Sequence, residues 1–126
     1  MAAFATPATV PARAGVGFKL QHGKDILADT GAVGFVEIHA ENFMGDGGPP
    51  HQLLRQVRDE IPVSLHGVGL SIGADGPLDQ EHLARLVGVA KQYEPGLVSE
   101  HLAWSPHEGA YFNDLLSDDV VHALDE

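Results

Sequence analysis

Short apolar runs alternate with stretches of helical periodicity along most of this 126-residue chain. The apolar runs have the length and composition of β-strands and lie at residues 14–18, 34–39, 62–66 and 96–101. Between them, apolar residues recur at helical spacing near residues 25–28, at Leu53, Leu54 and Val57, and at Leu83, Leu86, Val87 and Ala90. Strands that alternate with helices form βαβ units, whose right-handed crossovers place neighbouring strands side by side. The sequence therefore predicts an α/β fold with a parallel sheet.

The four predicted strands are half the number found in a TIM barrel, which has eight βα units and typically ~250 residues. We therefore predict that residues 14–126 form the N-terminal half of a TIM-barrel domain. The Ala- and Pro-rich residues 1–13 are predicted to be a flexible arm rather than a signal peptide. A loop is expected over residues 104–113, followed by an acidic tail of helical character. Open sheet edges favour association of two copies.

Charge and composition limit the partners of this chain. Seven Lys and Arg residues against 18 Asp and Glu residues give a formal charge of −11, which argues against nucleic acid or an anionic membrane. No apolar run reaches membrane-spanning length, so a cytoplasmic location is expected. The chain has no cysteine, so any metal site must use imidazole and carboxylate ligands.

Three consecutive predicted strands end in residues that commonly bind metals. The runs end as Glu-Ile-His at residues 37–39, Ser-Leu-His at 64–66 and Ser-Glu-His at 99–101. In an α/β barrel the catalytic groups lie where the strands pass into loops on the C-terminal face. The sequence therefore predicts that these side chains converge on a metal site.

Two-residue periodicity indicates which side chains share a face. Glu37 and His39 lie on one face of the second strand, opposite Val36 and Ile38, and His66 ends the corresponding polar face of the third. A buried Glu37 needs a cationic partner, either a metal ion or an Arg side chain.

In the fourth strand, Glu100 lies opposite Ser99 and His101, so only one of Glu100 and His101 can point into a shared centre. We favour Glu100. The alternatives are an ion pair or a helix cap for Glu100, and a structural role for a histidine such as His66.

Three segments resemble a known family. They read VEIHAENFMGDGG at residues 36–48, VSLHGVGLS at 63–71 and LVSEHLAWS at 97–105. Over residues 15–116 the chain resembles the multinuclear non-haem iron-dependent oxidases, long catalogued as domain of unknown function 692 or UPF0276. The resemblance implies a xylose-isomerase-like TIM barrel with two or three irons in its mouth. It also implies O2-dependent modification of cysteines in ribosomally synthesised peptides for natural product biosynthesis, often with a peptide-recognising partner protein.

Carried over to this chain, the resemblance implies that His39, His66 and Glu100 are iron ligands, the carboxylate being suited to bridge two metals. Further candidates are Glu37, Glu41, Asn42 and His101. The later strands of the family bring additional ligands that this chain does not contain. The resemblance therefore implies an incomplete centre in a single copy.

Other polar residues receive no functional assignment from the sequence. Solvated surface positions are predicted for five histidines, at His22, His51, His82, His107 and His122. Asp79 is interpreted as a helix cap. Trp104 either lines the mouth of the site or fills the core beneath the following loop, which we favour. The Gly- and Pro-rich loop at residues 45–50 is either a substrate lid or a plain connector.

Two further functions are compatible with the pattern. A Zn- or Mn-dependent hydrolase or sugar isomerase would use similar ligands on the same architecture, and metal identity would separate it from an iron oxidase. The other is a non-catalytic half-barrel with vestigial ligands, whose open edges would favour dimers.

Overall fold

The computed structural model describes residues 4–45, 47–102, 106–107 and 110–111. Its main sheet has four strands in the order β1-β2-β3-β4, all parallel. The strands are β1 Gly15–Gly17, β2 Phe35–His39, β3 Val63–Gly67 and β4 Leu97–Glu100. The helices are α1 Gly23–Ala28, α2 Pro49–Glu60 and α3 Gln80–Tyr93, with 3₁₀ turns at Leu20–His22 and Ala40–Phe43. This architecture confirms the predicted α/β fold, and it is consistent with part of a TIM-like barrel.

The structure differs from the sequence prediction beyond the main sheet. Two short antiparallel strands, β5 Pro106–His107 and β6 Ala110–Tyr111, lie in the segment predicted to be loop. Each of these strands is too short to show a two-residue periodicity in the sequence, so their pairing could not be predicted from the pattern. Trp104, His122 and the acidic tail lie outside the described residues.

The core lies between one face of the sheet and helices α2 and α3. Val36 and Ile38 of β2 are fully buried, as the predicted alternation requires, and so are Val63 and Leu65 of β3. Facing helical residues complete the core: Leu54, Val57, Leu86, Val89 and Tyr93. Each buried aliphatic side chain contributes about 1.5–3 kcal/mol, so this layer holds the strand ends in place.

Val87 corrects one part of the predicted apolar stripe. Its side chain is 42% exposed, whereas Leu86 and Val89 on the same helix are buried. At 100° per residue, Val87 points away from the sheet when Leu86 and Val89 face it. The boundary of α3 is as predicted, because the Asp79 carboxylate accepts hydrogen bonds from the amides of Glu81 (3.0 Å) and His82 (3.1 Å).

The N-terminal segment, predicted to be a flexible arm, contacts α2 from Phe4 onward. The fully buried Arg58 donates to the carbonyls of Thr6 (2.8 Å) and Tyr93 (2.9 Å). Its guanidinium carbon lies 4.6 Å from the centre of the Phe4 ring. The amide of Ala5 donates to the Asp59 carboxylate at 2.9 Å. Because a buried guanidinium must be hydrogen-bonded, the segment is held against the helix.

Strand β4 forms one edge of the sheet. Leu97 is 54% exposed and Val98 is 58% exposed, so this edge carries apolar side chains on both of its faces. No helix in the described ranges is both long enough and apolar enough to cross a membrane.

Candidate metal centre at the strand ends

Side chains at the carboxyl ends of β2, β3 and β4 lie in one row. The register pairs His39 with His66 and His66 with Ser99, so all three side chains share a face of the sheet. The ring centres of His39 and His66 are 6.0 Å apart. Nδ1 of His66 lies 2.7 Å from the Ser99 hydroxyl oxygen. The structure thus brings together two of the predicted ligands, His39 and His66. It also places Ser99, which the sequence analysis did not single out, in contact with His66.

His101 also contacts His66. Nε2 of His66 lies 2.9 Å from Nδ1 of His101, and the ring centres are 5.0 Å apart. The amide of His101 donates to the carbonyl of Gly67 at 2.8 Å, which extends the parallel ladder one residue past β4. Alternation along this extension places His101 on the same face as Ser99.

The sequence prediction favours Glu100 over His101 at the shared centre, and the structure places Glu100 beside Gly67. Its carboxylate packs against Gly67, where a β-carbon would collide with Oε2. Glu100 pairs in register with Gly67, on the face opposite His66, and Oε1 accepts a hydrogen bond from the amide of Leu70 at 3.2 Å. The pleat and this amide together hold the carboxylate beside Gly67, where it remains within electrostatic range of His66 and His82. Whether Glu100 binds metal stays a prediction.

The Glu100 carboxylate is in an unusual environment. Its Oε2 is buried and has no hydrogen-bond partner among the described residues. Burial raises the pKa of Glu100, the hydrogen bond from Leu70 lowers it, and the nearby Glu41 carboxylate raises it further. A buried oxygen that lacks a donor is a position where a cation or a proton is stabilising.

Two predicted ligands lie at the edges of the histidine row. Glu37 is one layer deeper in the sheet, where Oε2 accepts a hydrogen bond from the Ser64 hydroxyl at 3.0 Å. Asn42 is exposed and lines a cavity of about 390 Å³ that Phe18, Lys19 and Gln21 also line. This cavity lies beside the ends of β1 and β2.

Glu41 is not part of the histidine row. Its carboxylate accepts hydrogen bonds from the amides of Val68 (3.0 Å) and Gly69 (3.0 Å) and from Nε2 of His82 (2.9 Å). His82 was predicted to be solvated, but it is partly buried in this contact. The prediction was wrong because His82, in the first turn of α3, faces the loop after β3 rather than solvent. No spacing within α3 indicates a partner 41 positions away.

His51 was also predicted to be solvated, and it is buried. Its Nε2 lies 2.7 Å from the carbonyl oxygen of Gly45, so Nε2 carries the proton and Nδ1 accepts a hydrogen bond from the Tyr93 hydroxyl. The imidazole stacks on the Tyr93 ring with centres 5.7 Å apart. His51, Leu54 and Arg58 have the spacing of a buried stripe on helix α2. This spacing was the sequence feature from which the burial of His51 could have been predicted.

The donor chemistry of the row suits a transition metal. The 2.9 Å between the His66 and His101 nitrogens fits two ligands of one ion, since metal–imidazole distances are about 2.0–2.1 Å. The Ser99 hydroxyl contacts Nδ1 of His66, the nitrogen that does not face His101. Metal-binding histidines commonly make such a contact with an outer-sphere partner. In the part of the chain that the structure describes, no group of three His, Asp or Glu side chains converges closely enough to hold a metal ion. The described residues therefore supply part of a donor set.

Comparison with known proteins adds a family match. A family model described as "RiPP precursor modification enzyme MbnB/TglH/ChrH" matches residues 13–120. The chain is 59% identical over 106 residues to a UPF0276 protein of Rhizobium meliloti, which covers 82% of this chain and 34% of that protein. It is 57% identical over 102 residues to a UPF0276 protein of Paraburkholderia phytofirmans, covering 81% and 33%. For a UPF0276 protein of Bordetella pertussis the identity is 50% over 107 residues, covering 85% and 37%. The chain spans about a third of the length of these curated relatives.

Proposed function

Since the chain belongs to the MbnB/TglH/ChrH family of RiPP precursor modification enzymes, we propose that it supplies part of an iron-dependent oxidase that acts on cysteine residues of a ribosomally synthesised peptide. The observation that carries this proposal is the contact of His66 with His101 and Ser99 at the carboxyl ends of β3 and β4. This is the position at which barrels of this type place their catalytic groups.

The residues at the strand ends fit iron by donor type. Imidazole and carboxylate ligands suit iron, zinc and manganese, and the chain has no thiolate ligand to offer. His39, His66 and His101 would hold the metal through imidazole nitrogens, and Glu37 and Glu100 are the candidate carboxylates. Bound iron would supply the one-electron chemistry and the affinity for O2 that oxidation of a thiol requires.

The side chains around the row have separate tasks in this proposal. Ser99 holds Nδ1 of His66 and so directs Nε2 toward the centre. Ser64 donates to Glu37 and keeps that carboxylate on the face of the sheet that carries the histidines. The cavity lined by Lys19 and Asn42 follows the ends of β1 and β2, and we propose it as the place where a peptide segment binds.

The proposed activity belongs to a barrel longer than the part seen here. The chain covers 33–37% of its curated relatives, and no three donors converge within the described residues. The remaining ligands would come from other strands of the complete barrel or from an associated chain. A cysteine-containing precursor peptide and a peptide-recognising protein are the proposed partners.

Metal analysis tests this proposal directly. The complete barrel that contains this chain is loaded with Fe²⁺ under anaerobic conditions, desalted, and measured by plasma mass spectrometry beside its His66→Ala variant and a matched control, His22→Ala, in which an exposed histidine outside the row is removed. We expect iron in the unmodified barrel and in His22→Ala, and a large loss in His66→Ala. Equal iron in all three proteins would contradict the proposal. Retention of zinc in preference to iron would favour a hydrolase or isomerase.

Thiol loss from a peptide is a second test. This chain contributes no thiol of its own, and mass spectrometry of a cysteine-containing peptide separates its thiol from any cysteine in the rest of the barrel. We expect O2-dependent thiol loss with the iron-loaded complete barrel. Unchanged thiol would contradict oxidation of cysteine while leaving iron binding to stand on the metal analysis.

A further inference from the structure

A second cluster lies next to the histidine row and has no role in the function proposed above. It consists of Glu41, His82 and the backbone amides of Val68 and Gly69, and we refer to it as the loop clamp. Glu41 belongs to the 3₁₀ turn after β2, His82 to the first turn of α3, and the two amides to the loop after β3. The clamp therefore joins three elements that are distant in sequence.

Both oxygens of Glu41 are engaged in the loop clamp. Oε1 accepts from the amide of Val68 at 3.0 Å, and Oε2 accepts from Val68 (3.1 Å), Gly69 (3.0 Å) and His82 Nε2 (2.9 Å). The backbone amides can only donate, so Glu41 accepts every bond that it makes with the loop. An ionised carboxylate only accepts, and His82 must therefore donate from Nε2.

The loop after β3 is the segment on which the neighbouring ligand candidates depend. It begins at Val68, two residues after His66. The carbonyl of Gly67 accepts from the amide of His101 at 2.8 Å, and the amide of Leu70 donates to Glu100 at 3.2 Å. The amides of Val68 and Gly69, which lie between these two contacts, are the ones that Glu41 holds. A displacement of this loop would therefore move His101 and Glu100 as well as His66.

Packing around the clamp is tight at Gly69. A β-carbon there would lie 3.0 Å from Cε1 of His82 and 3.4 Å from Oε2 of Glu41. The loop backbone can therefore approach these two side chains closely because residue 69 is glycine and has no β-carbon. His82 and Glu41 fit against the loop as a pair.

We propose that Glu41 and His82 are positioning residues, which hold the loop after β3 so that His66, His101 and Glu100 keep their places at the strand ends. This inference rests on the proposed function for its effect on metal binding. In this role Glu41 acts on the metal centre through the loop rather than as a ligand.

Amide exchange tests the clamp without any metal. Hydrogen exchange is measured by NMR on the unmodified chain, His82→Ala, His82→Gln and Glu81→Gln. Glutamine places an amide donor near the position of Nε2, and Glu81→Gln removes a charge that pairs with exposed Arg85 on the same helix. We expect exchange at Val68 and Gly69 to be about tenfold faster in His82→Ala, the factor expected for losing a hydrogen bond to a charged group. His82→Gln restores slow exchange, and Glu81→Gln leaves it unchanged. Equal exchange in His82→Ala and Glu81→Gln would overturn the clamp.

Cobalt binding tests the consequence for the metal centre. Co²⁺ is titrated into the same four proteins, and its visible absorption reports the ligand environment. We expect affinity about tenfold weaker in His82→Ala than in the unmodified chain, with recovery in His82→Gln. Faster exchange with unchanged Co²⁺ affinity and spectrum would overturn the positioning role. Failure of the unmodified chain to bind Co²⁺ would contradict the proposed function, and the exchange data would still decide the clamp.

Discussion

Nε2 of His66 lies 2.9 Å from Nδ1 of His101, although the two residues are 35 positions apart and belong to neighbouring strand ends. The distance follows from the parallel register, which pairs His66 with Ser99 and carries His101 past the end of β4 on the same face. The short distance makes His101 the partner of His66 in any metal complex formed at this edge of the sheet.

Removal of His101 should weaken metal binding more than removal of the Glu100 charge. His101→Ala takes away a nitrogen adjacent to His66, and we expect a loss greater than the about 10- to 100-fold that outer-sphere partners contribute. Glu100→Gln keeps the shape of a side chain that lies beside Gly67. Isothermal titration with Fe²⁺ under anaerobic conditions measures both. A larger effect of Glu100→Gln would show that the carboxylate is the dominant ligand.

Ser99 should control the tautomer of His66. Ser99→Ala removes the hydroxyl 2.7 Å from Nδ1, so His66 loses the contact that orients its ring. We expect Fe²⁺ affinity to fall about 10-fold, within the range for outer-sphere partners. The nitrogen chemical shifts of His66 would show the change of tautomer. Unchanged nitrogen shifts of His66 in Ser99→Ala would contradict the assigned hydrogen bond.

The buried contact between Tyr93 and His51 should contribute to stability. Tyr93→Phe removes the hydroxyl that donates to Nδ1 of His51 and leaves that nitrogen with only the longer contact to Gln92 Nε2 at 3.4 Å, so we expect a loss of about 0.5–1.5 kcal/mol. Val87→Ala, on an exposed part of the same helix, should change the free energy of unfolding by less than about 0.5 kcal/mol. Urea denaturation followed by circular dichroism compares the two. Similar values for both variants would mean that the hydroxyl is not needed.

Acid should weaken the contribution of Glu41 to stability. The pKa of Glu41 in the folded chain is below its ordinary value of 4.5, so between the two pKa values the unfolded chain binds more protons. The contribution is therefore complete above pH 4.5 and is lost as the pH falls through the lower, folded value. We expect Glu41→Gln to destabilise the chain by about 1–2 kcal/mol at pH 7, with a difference that shrinks below pH 4.5. A difference that is constant with pH would contradict an ionised Glu41 in the clamp.

The exposed edge of β4 should promote association. Val98→Lys places a charge on β4, which pairs only with β3 among the described residues, and a charge on an edge strand is a common way to prevent edge pairing. We expect the unmodified chain to sediment as a larger species at high concentration and Val98→Lys to shift toward monomer. The same sedimentation profile in both proteins would exclude association through this edge.

Several features of the fold follow from local patterns in the sequence. Two-residue alternation places Val36 and Ile38 in the core and Glu37 and His39 on the other face, because side chains of any strand alternate regardless of its neighbours. The Asp79 cap is equally local, since its carboxylate binds amides only two and three residues away. These features depend on contacts within one element or its immediate flanks.

By itself, then, the sequence determined the α/β class, the faces of β2 and β3, and the presence of metal-binding residue types at three strand ends. Only the tertiary structure decided which of those residues meet. Glu100 lies beside Gly67 and accepts a hydrogen bond from an amide of the loop after β3. His51 is buried and His82 is partly buried because they bind groups on other elements. The partners in these contacts lie 30 to 42 positions apart in the sequence. Each contact therefore depends on packing between elements, and the periodicity of a single strand or helix carries no information about it.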